Sequence, residues 1–263
     1  MDFSEAFSPA RALAHGYEGL KRQPVGVLLG GFLIGAAGMC GGGFQGNPGR
    51  VDEMPEDMRD AMLAVTAVMV VVGLVFAILT WLALSFLLPG WYRLLRDIVV
   101  TGDAQVGALF SGGDAFLRMA GWKLLAGIIA LGVAVVSLAP GVALAYVLRD
   151  SDGGVAAGIA LAVLVAVPAL LYVSLGLALG PWVVALEGLD VLAALDRSWE
   201  LARDHRVDLF LFFLVMGLVN VAGFFCCCVG NFVTRGITDL GTTESFLLAT
   251  RDDAASFALM RGA

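Results

Sequence analysis

Five stretches of this chain, residues 23–49, 61–92, 124–148, 153–186 and 209–234, contain no charged side chain. A helix rising ~1.5 Å per residue needs ~20 residues to cross a ~30 Å hydrocarbon layer, and each stretch exceeds that length. Backbone amides in lipid must be paired internally, which admits only helices or a closed barrel. The stretches are too long and too uniformly apolar for alternating barrel strands. The sequence therefore predicts an all-α, polytopic transmembrane bundle of about five spans, or six if the C-terminal segment adds one. The chain is 59% hydrophobic and only 15% charged, against roughly 25% charge in soluble domains.

The spans sort into one transmembrane domain over residues 1–235, with a leading span at 23–49, a hairpin at 61–148 and a second hairpin at 153–234. A polar tail at 236–263 follows, of which residues 236–250 re-enter or lie along the membrane. Lys and Arg in short loops favour the cytoplasm, and their distribution sets the orientation. With the N-terminus inside, cytoplasmic segments hold Arg11, Lys21, Arg22, Arg93, Arg96, Arg118, Lys123, Arg197, Arg203 and Arg206, while the outer loops hold Arg50, Arg59 and Arg149. The expected location is a bacterial inner membrane, N-terminus cytoplasmic and C-terminus outside. Met1 to Arg22 contains Asp2, Glu5 and Glu18 and reads as an amphipathic helix leading into the first span, not as a cleaved signal.

An internal repeat organises the rest. Gly102-Asp103-Ala104-Gln105-Val106-Gly107-Ala108-Leu109 aligns without gaps to Gly188-Leu189-Asp190-Val191-Leu192-Ala193-Ala194-Leu195. Gly90-Trp91 precedes the first copy and Gly180-Pro181-Trp182 the second. Two hairpins in a parallel repeat are expected, each with a cytoplasmic amphipathic segment at the interface. In the second copy Leu189, Leu192, Leu195, Trp199 and Ala202 form the apolar line, with Trp199 and Arg197 at headgroup depth. In the first, Val106, Leu109, Phe110, Phe116 and Leu117 make a weaker line broken by Gly112-Gly113, with Asp103 as N-cap.

Within the spans the informative residues are small or polar. Gly26 and Gly30, Gly31 and Gly35, and Gly38 and Gly42 are each four apart and offer bare backbone for helix packing. Pro140 and Pro168 are expected to kink the third and fourth spans. Asn220 is the strongest hydrogen-bonding side chain inside a span, either joined to a neighbouring helix or lining a conduit. Cys40 and Cys226, Cys227 and Cys228 all fall near the outer end; Cys40 bridged to one of the three is one reading, and small packed residues with free thiols the other.

Catalytic patterns are missing from the sequence. His15 and His205 belong to no metal-binding spacing, Ser111 lies in no nucleophile elbow, and Asp190, Asp196 and Glu200 read as a solvated face. The Lys and Arg residues form no stripe for nucleic acid. No cofactor or metal is expected, and the expected partners are membrane lipid, a second copy of the chain, or other membrane proteins.

Ala194-Leu195-Asp196-Arg197-Ser198-Trp199-Glu200-Leu201, followed by Phe210 to Val215, Gly223, the cysteines, Gly230 and Val233-Thr234, resembles a bacterial family of membrane domains. That family includes the membrane domain of glycerophosphoryl diester phosphodiesterases; Asp103 to Phe116 and Ala139-Pro140-Gly141 fit the same pattern. The resemblance implies the helical architecture alone, because no phosphodiesterase catalytic domain accompanies it. In the family a Pro and a final helix follow Val-Thr, where this chain has Arg235-Gly236 and a polar run. The sequence thus supports a non-enzymatic multi-pass scaffold or assembly subunit that self-associates. A pore between Pro-kinked helices and a lipid-handling accessory protein are the alternatives.

Overall fold

A computed structural model describes residues 3–28, 56–103, 105–149, 151, 153–225 and 228–250, among which there is no strand. A single turn, Phe3–Ala6, precedes α1 (Pro9–Arg22). Pro9 begins α1 with its φ already helical, and Lys21 and Arg22 sit in the last turn, where the helix dipole favours cations. The long helix α2 (Glu56–Thr101) leads to a 3₁₀ run, Val106–Asp114. Next come α3 (Phe116–Val147) and α4 (Gly154–Leu177), the latter prolonged by Gly180–Trp182 and a π-helical turn, Val183–Glu187. The last of the described elements are α5 (Val191–Arg203), α6 (Arg206–Phe225) and α7 (Cys228–Ala249).

Among the described residues four helical segments are long and apolar enough to cross a membrane: Val65–Thr101, Phe116–Val147, Gly154–Glu187 and Arg206–Phe225. Most of the leading span, from residue 29 onward, lies outside the described residues. One segment outruns its apolar core, since α2 continues beyond residue 92 through Arg93, Arg96 and Asp97 to Thr101. At 46 residues it extends for about 69 Å, twice the hydrocarbon thickness.

The fifth expected span, 209–234, is corrected by the structure. Asn220 of α6 meets Thr238 of α7, and Gly223 meets Thr234, so the two helices are antiparallel and the chain reverses between them. The expected polar tail is likewise helical as far as Ala249. α7 lies beside α1, with Leu240 under Gly19 and Ala12 against Gly241. The reason is chemical: α7 carries Asn231, Arg235, Asp239 and Glu244, too polar to face lipid, and where it packs on α1, α2 and α6 Glu244 is buried and the other three are half-buried.

Among the described residues the large buried side chains gather at one end of the bundle. Trp91, Leu94 and Leu95 of α2, Met119 of α3, Leu179 and Val183 after α4, Leu209 and Phe212 of α6, and Leu240 and Phe246 of α7 are almost fully buried there. Phe7 packs edge-on against Phe212 at 5.2 Å, and Tyr92 lies tilted against Trp182 at 4.6 Å, contacts each worth ~1 kcal/mol beyond their area. Away from this end, Val65 to Leu79 of α2 are exposed on every face. There α3 and α4 pair through small residues alone, Gly141 on Ala162 and Gly158 on Ala145. Exposed apolar helix of this extent belongs in lipid, and the chain is a membrane protein.

Candidate functional site

The polar residues converge on α7. Thr242 and Thr243 donate their hydroxyls to the carbonyls of Thr238 and Asp239 one turn back, at 2.7 and 2.8 Å, which lets hydroxyl residues sit inside a packed helix. Three partners then join α7 from the spans. Trp91 donates its indole N–H to Asp239 Oδ2 at 3.0 Å, Trp182 donates to Thr243 Oγ1 at 3.0 Å, and Asn220 Nδ2 donates to Thr238 Oγ1 at 3.1 Å. Trp91 and Trp182 occupy matching places in the two repeat copies, and their acceptors lie one helical turn apart.

Other positions of the repeat match as well. Gly102 and Gly188 both adopt the left-handed conformation, φ 75° and 70°, which glycine reaches without the Cβ penalty. Gly112 lies directly against the Phe86 carbonyl, and its counterpart Ser198 donates its hydroxyl to the Gly176 carbonyl at 2.7 Å. Arg118 Nη1 donates to the Gly188 carbonyl, while Arg22 Nη1 stands 3.8 Å from where a Cβ on Gly102 would be.

Beside this seam lies a cavity of about 160 Å³ between α1, the last turns of α2, and α7. His15, Glu18 and Arg22 line it from α1, Thr101 and Gly102 from α2, and Glu244 from α7. Glu244 leaves 9% of its side chain exposed; Oε1 is 3.2 Å from His15 Nδ1, and Oε2 is buried without a hydrogen-bond partner. Burial pushes its carboxyl above the usual range, His15 and Arg11 pull it back, and Glu18 adds to the rise. The Thr101 hydroxyl is 2.7 Å from both the Asp97 and the Asp103 carbonyl oxygens and is held by backbone.

The residues singled out by sequence do not gather at this site. Gly26 is buried, with Leu94 Cδ2 at 4.0 Å from a Cβ placed on it. Gly30, Gly31, Gly35, Gly38, Gly42, Cys40, Cys226 and Cys227 lie outside the described residues, and Cys228 is placed only as the first residue of α7. Pro140 and Pro168 sit inside α3 and α4 on exposed positions, and both helices run through them. Trp199 turns inward, its ring over Gly176 and edge-on to Tyr172 at 5.8 Å, with Arg206 stacked on both rings. Arg197 pairs with Glu200 at 3.1 Å and Glu187 at 3.8 Å.

Two expectations about the interfacial segments need correction. Asp103 does not cap the first; Gln105 precedes the 3₁₀ run, and Asp103 Oδ1 accepts the Gln23 amide at 2.7 Å, tying α2 to the start of the leading span. In α5 the buried line is Ala194, Ser198 and Ala202, leaving Leu192 exposed, because small side chains allow closer packing on α4. Sequence reasoning missed Trp91, Trp182, Asp239, Thr243 and Glu244 as interacting groups. The available signal was Thr234, Thr238 and Thr242, spaced four apart with Gly230 and Gly241 among them.

Among the described residues no group of three His, Cys, Asp or Glu side chains could hold a metal ion. The family model described as a domain of unknown function, DUF7847, matches residues 10–249. The chain belongs to the DUF7847 family. The matched region runs from the second residue of α1 to the last of α7, so the DUF7847 domain contains both the seam and the cavity. No curated protein and no solved structure matched the chain.

Proposed function

We propose that this DUF7847 protein is a non-enzymatic, multi-pass scaffold or subunit of a membrane assembly in a bacterial inner membrane. What carries the reading is how the polar side chains within and beside the spans are used. Trp91, Trp182, Asn220 and Ser198 are all engaged in holding one helix to another. A conduit would present such groups to a pathway, whereas Pro140 and Pro168 are on exposed positions and the Asn220 amide nitrogen is bonded to α7, its Oδ1 buried without a partner. The distribution of Lys and Arg supports a cytoplasmic N-terminus, and the end of α7 then lies on the same side. The resemblance to the phosphodiesterase membrane domain stays an architectural expectation, which the DUF7847 match neither adds to nor subtracts from.

Self-association is part of the proposal, through the apolar surface of Val65 to Leu79 and the glycine-rich leading span. Native mass spectrometry of protein released from nanodiscs tests it. A defined oligomer is expected, and a monomer at every protein concentration overturns self-association. Solute flux in reconstituted liposomes that is abolished by Asn220→Trp would overturn the non-transport reading.

A further inference from the structure

α1 lies on α7 through small residues: a Cβ on Gly16 would meet the Ile237 carbonyl, one on Gly19 the Leu240 side chain, and one on Gly241 the Ala12 carbonyl. Contact of this kind needs no charge, yet a pair of titratable groups is set into it. His15 of α1 leaves 53% of its side chain exposed and Glu244 of α7 only 9%, with His15 Nδ1 3.2 Å from Glu244 Oε1. Oε2 is buried without a hydrogen-bond partner, so among the described residues the carboxylate is held by His15 alone. Buried charge pairs seldom add stability over apolar packing and are better attested as devices that set a register or a switch.

The other charges around this pair do not replace His15. From α1, Arg11 attracts the Glu244 carboxylate and Glu18 repels it, and Arg22 lines the adjoining cavity. α2 presents Ile98, Val99, Val100 and Thr101 to that cavity, while its Arg96 and Asp97 pair with each other at 3.0 Å. Asp208 of α6 faces His205 at 3.6 Å, and on α7 itself Asp239 faces Arg235 at 3.8 Å. Glu5, on the turn before α1, is exposed. The largest attraction that offsets the burial of Glu244 is that of His15, and a histidine, unlike an arginine, loses its charge near neutral pH.

We propose that His15 and Glu244 form a pH-sensitive latch that sets how often α1 lifts from α7. With His15 protonated, an imidazolium donates to a carboxylate. Once it is neutral, the same contact is an ordinary hydrogen bond beside a buried negative charge, and the repulsion from Glu18 is no longer balanced. Both groups act in one direction. Burial raises the Glu244 carboxyl, so the docked helix pair holds that proton more tightly than the undocked one; this contribution is present at low pH and lost as pH rises through the raised value. The glycine contacts keep α1 in place at every pH, and the latch governs local opening. It does so whether or not the protein oligomerises.

Amide hydrogen exchange of the full chain in nanodiscs tests this, with rates corrected for their intrinsic pH dependence and α6 as the internal reference. From about pH 6 to about pH 8.5, either side of the range in which an imidazole ordinarily titrates, protection of α1 is expected to fall about ten-fold relative to α6, the margin between a charge-assisted and a neutral hydrogen bond. Glu244→Gln removes the buried charge, and His15→Gln, at a half-exposed position, removes the titrating partner; each is expected to level most of that dependence, whereas His205→Gln leaves it in place. Protection of α1 that does not change with pH, a fall of the same size in α6, or a dependence that survives both Glu244→Gln and His15→Gln overturns the proposal.

Discussion

The two copies of the repeat solve one problem with different chemistry. Each must press a short interfacial segment onto the span before it, and each meets a backbone carbonyl there, that of Phe86 in the first copy and of Gly176 in the second. The first copy uses Gly112 and a 3₁₀ run, so backbone lies on backbone with no side chain between. The second uses a regular helix, α5, and fills the gap with the Ser198 hydroxyl. Close approach and hydrogen bonding are thus interchangeable at this joint, but they should fail differently when changed.

The largest difference is expected at Gly112. A Cβ there would collide with the Phe86 carbonyl and come within 3.2 Å of the Gly90 amide, both parts of α2 that cannot rotate away. Gly112→Val should destabilise the protein by about 3 kcal/mol, at the upper end of overpacking costs, seen as loss of folded protein or a lower unfolding midpoint in bicelles. A Gly112→Val variant as stable as the parent would mean that the first copy is loosely seated and the comparison fails.

The paired tryptophans come next. Trp91 donates to the Asp239 carboxylate, whose basic neighbour, Arg235, is 3.8 Å away; Trp182 donates to a neutral hydroxyl that already has a backbone partner. Hydrogen bonds to charged groups are worth ~1.5–3 kcal/mol and neutral ones ~0.5–1.5 kcal/mol. Trp91→Phe should therefore cost about 2 kcal/mol and Trp182→Phe about 1 kcal/mol in the same unfolding assay. The reverse order would show that ring packing, not the indole N–H, fixes α7.

Smaller and equal effects are expected from Gly102→Ala and Gly188→Ala. Both positions are left-handed and uncrowded, the nearest atoms to an added Cβ being Arg22 Nη1 at 3.8 Å and Arg118 Nη1 at 3.5 Å. Each substitution should cost ~1 kcal/mol, the backbone penalty of an L-residue in that conformation. Unequal costs would break the structural equivalence that the aligned sequences suggest.

The difference between what was and was not legible in the sequence follows the same division. Apolar runs announce themselves by length, so the helical membrane class and the spans from 61–92, 124–148 and 153–186 are visible in composition alone. The turn between α6 and α7 is not, because residues 209–234 keep an unbroken absence of charge while the chain doubles back. Hydropathy scores Asp239, Thr243 and Glu244 as surface residues, yet their partners Trp91, Trp182 and His15 come from distant parts of the chain. Gly112-Gly113 looks like a break in an amphipathic line, and only the position of Phe86 shows it to be the contact itself. Glycine at fixed spacing signals close packing, but the sequence does not name the partner.

The serine joint sharpens the comparison most. Ser198→Ala removes only the hydroxyl and should cost ~1 kcal/mol, leaving the Gly176 carbonyl without its donor. Ser198→Gly gives the second copy the residue of the first, and adds the ~0.5–1 kcal/mol penalty of glycine within a helix. If the two joints are interchangeable, the glycine variant lets α5 settle closer to α4 and recovers part of that loss, so its stability should match or exceed that of Ser198→Ala. A glycine variant weaker than the alanine one by the full helix penalty would mean that α5 cannot move inward. In that case Trp199, wedged over Gly176 beneath Arg206, sets the spacing of the second copy, and the serine only fills what the tryptophan leaves.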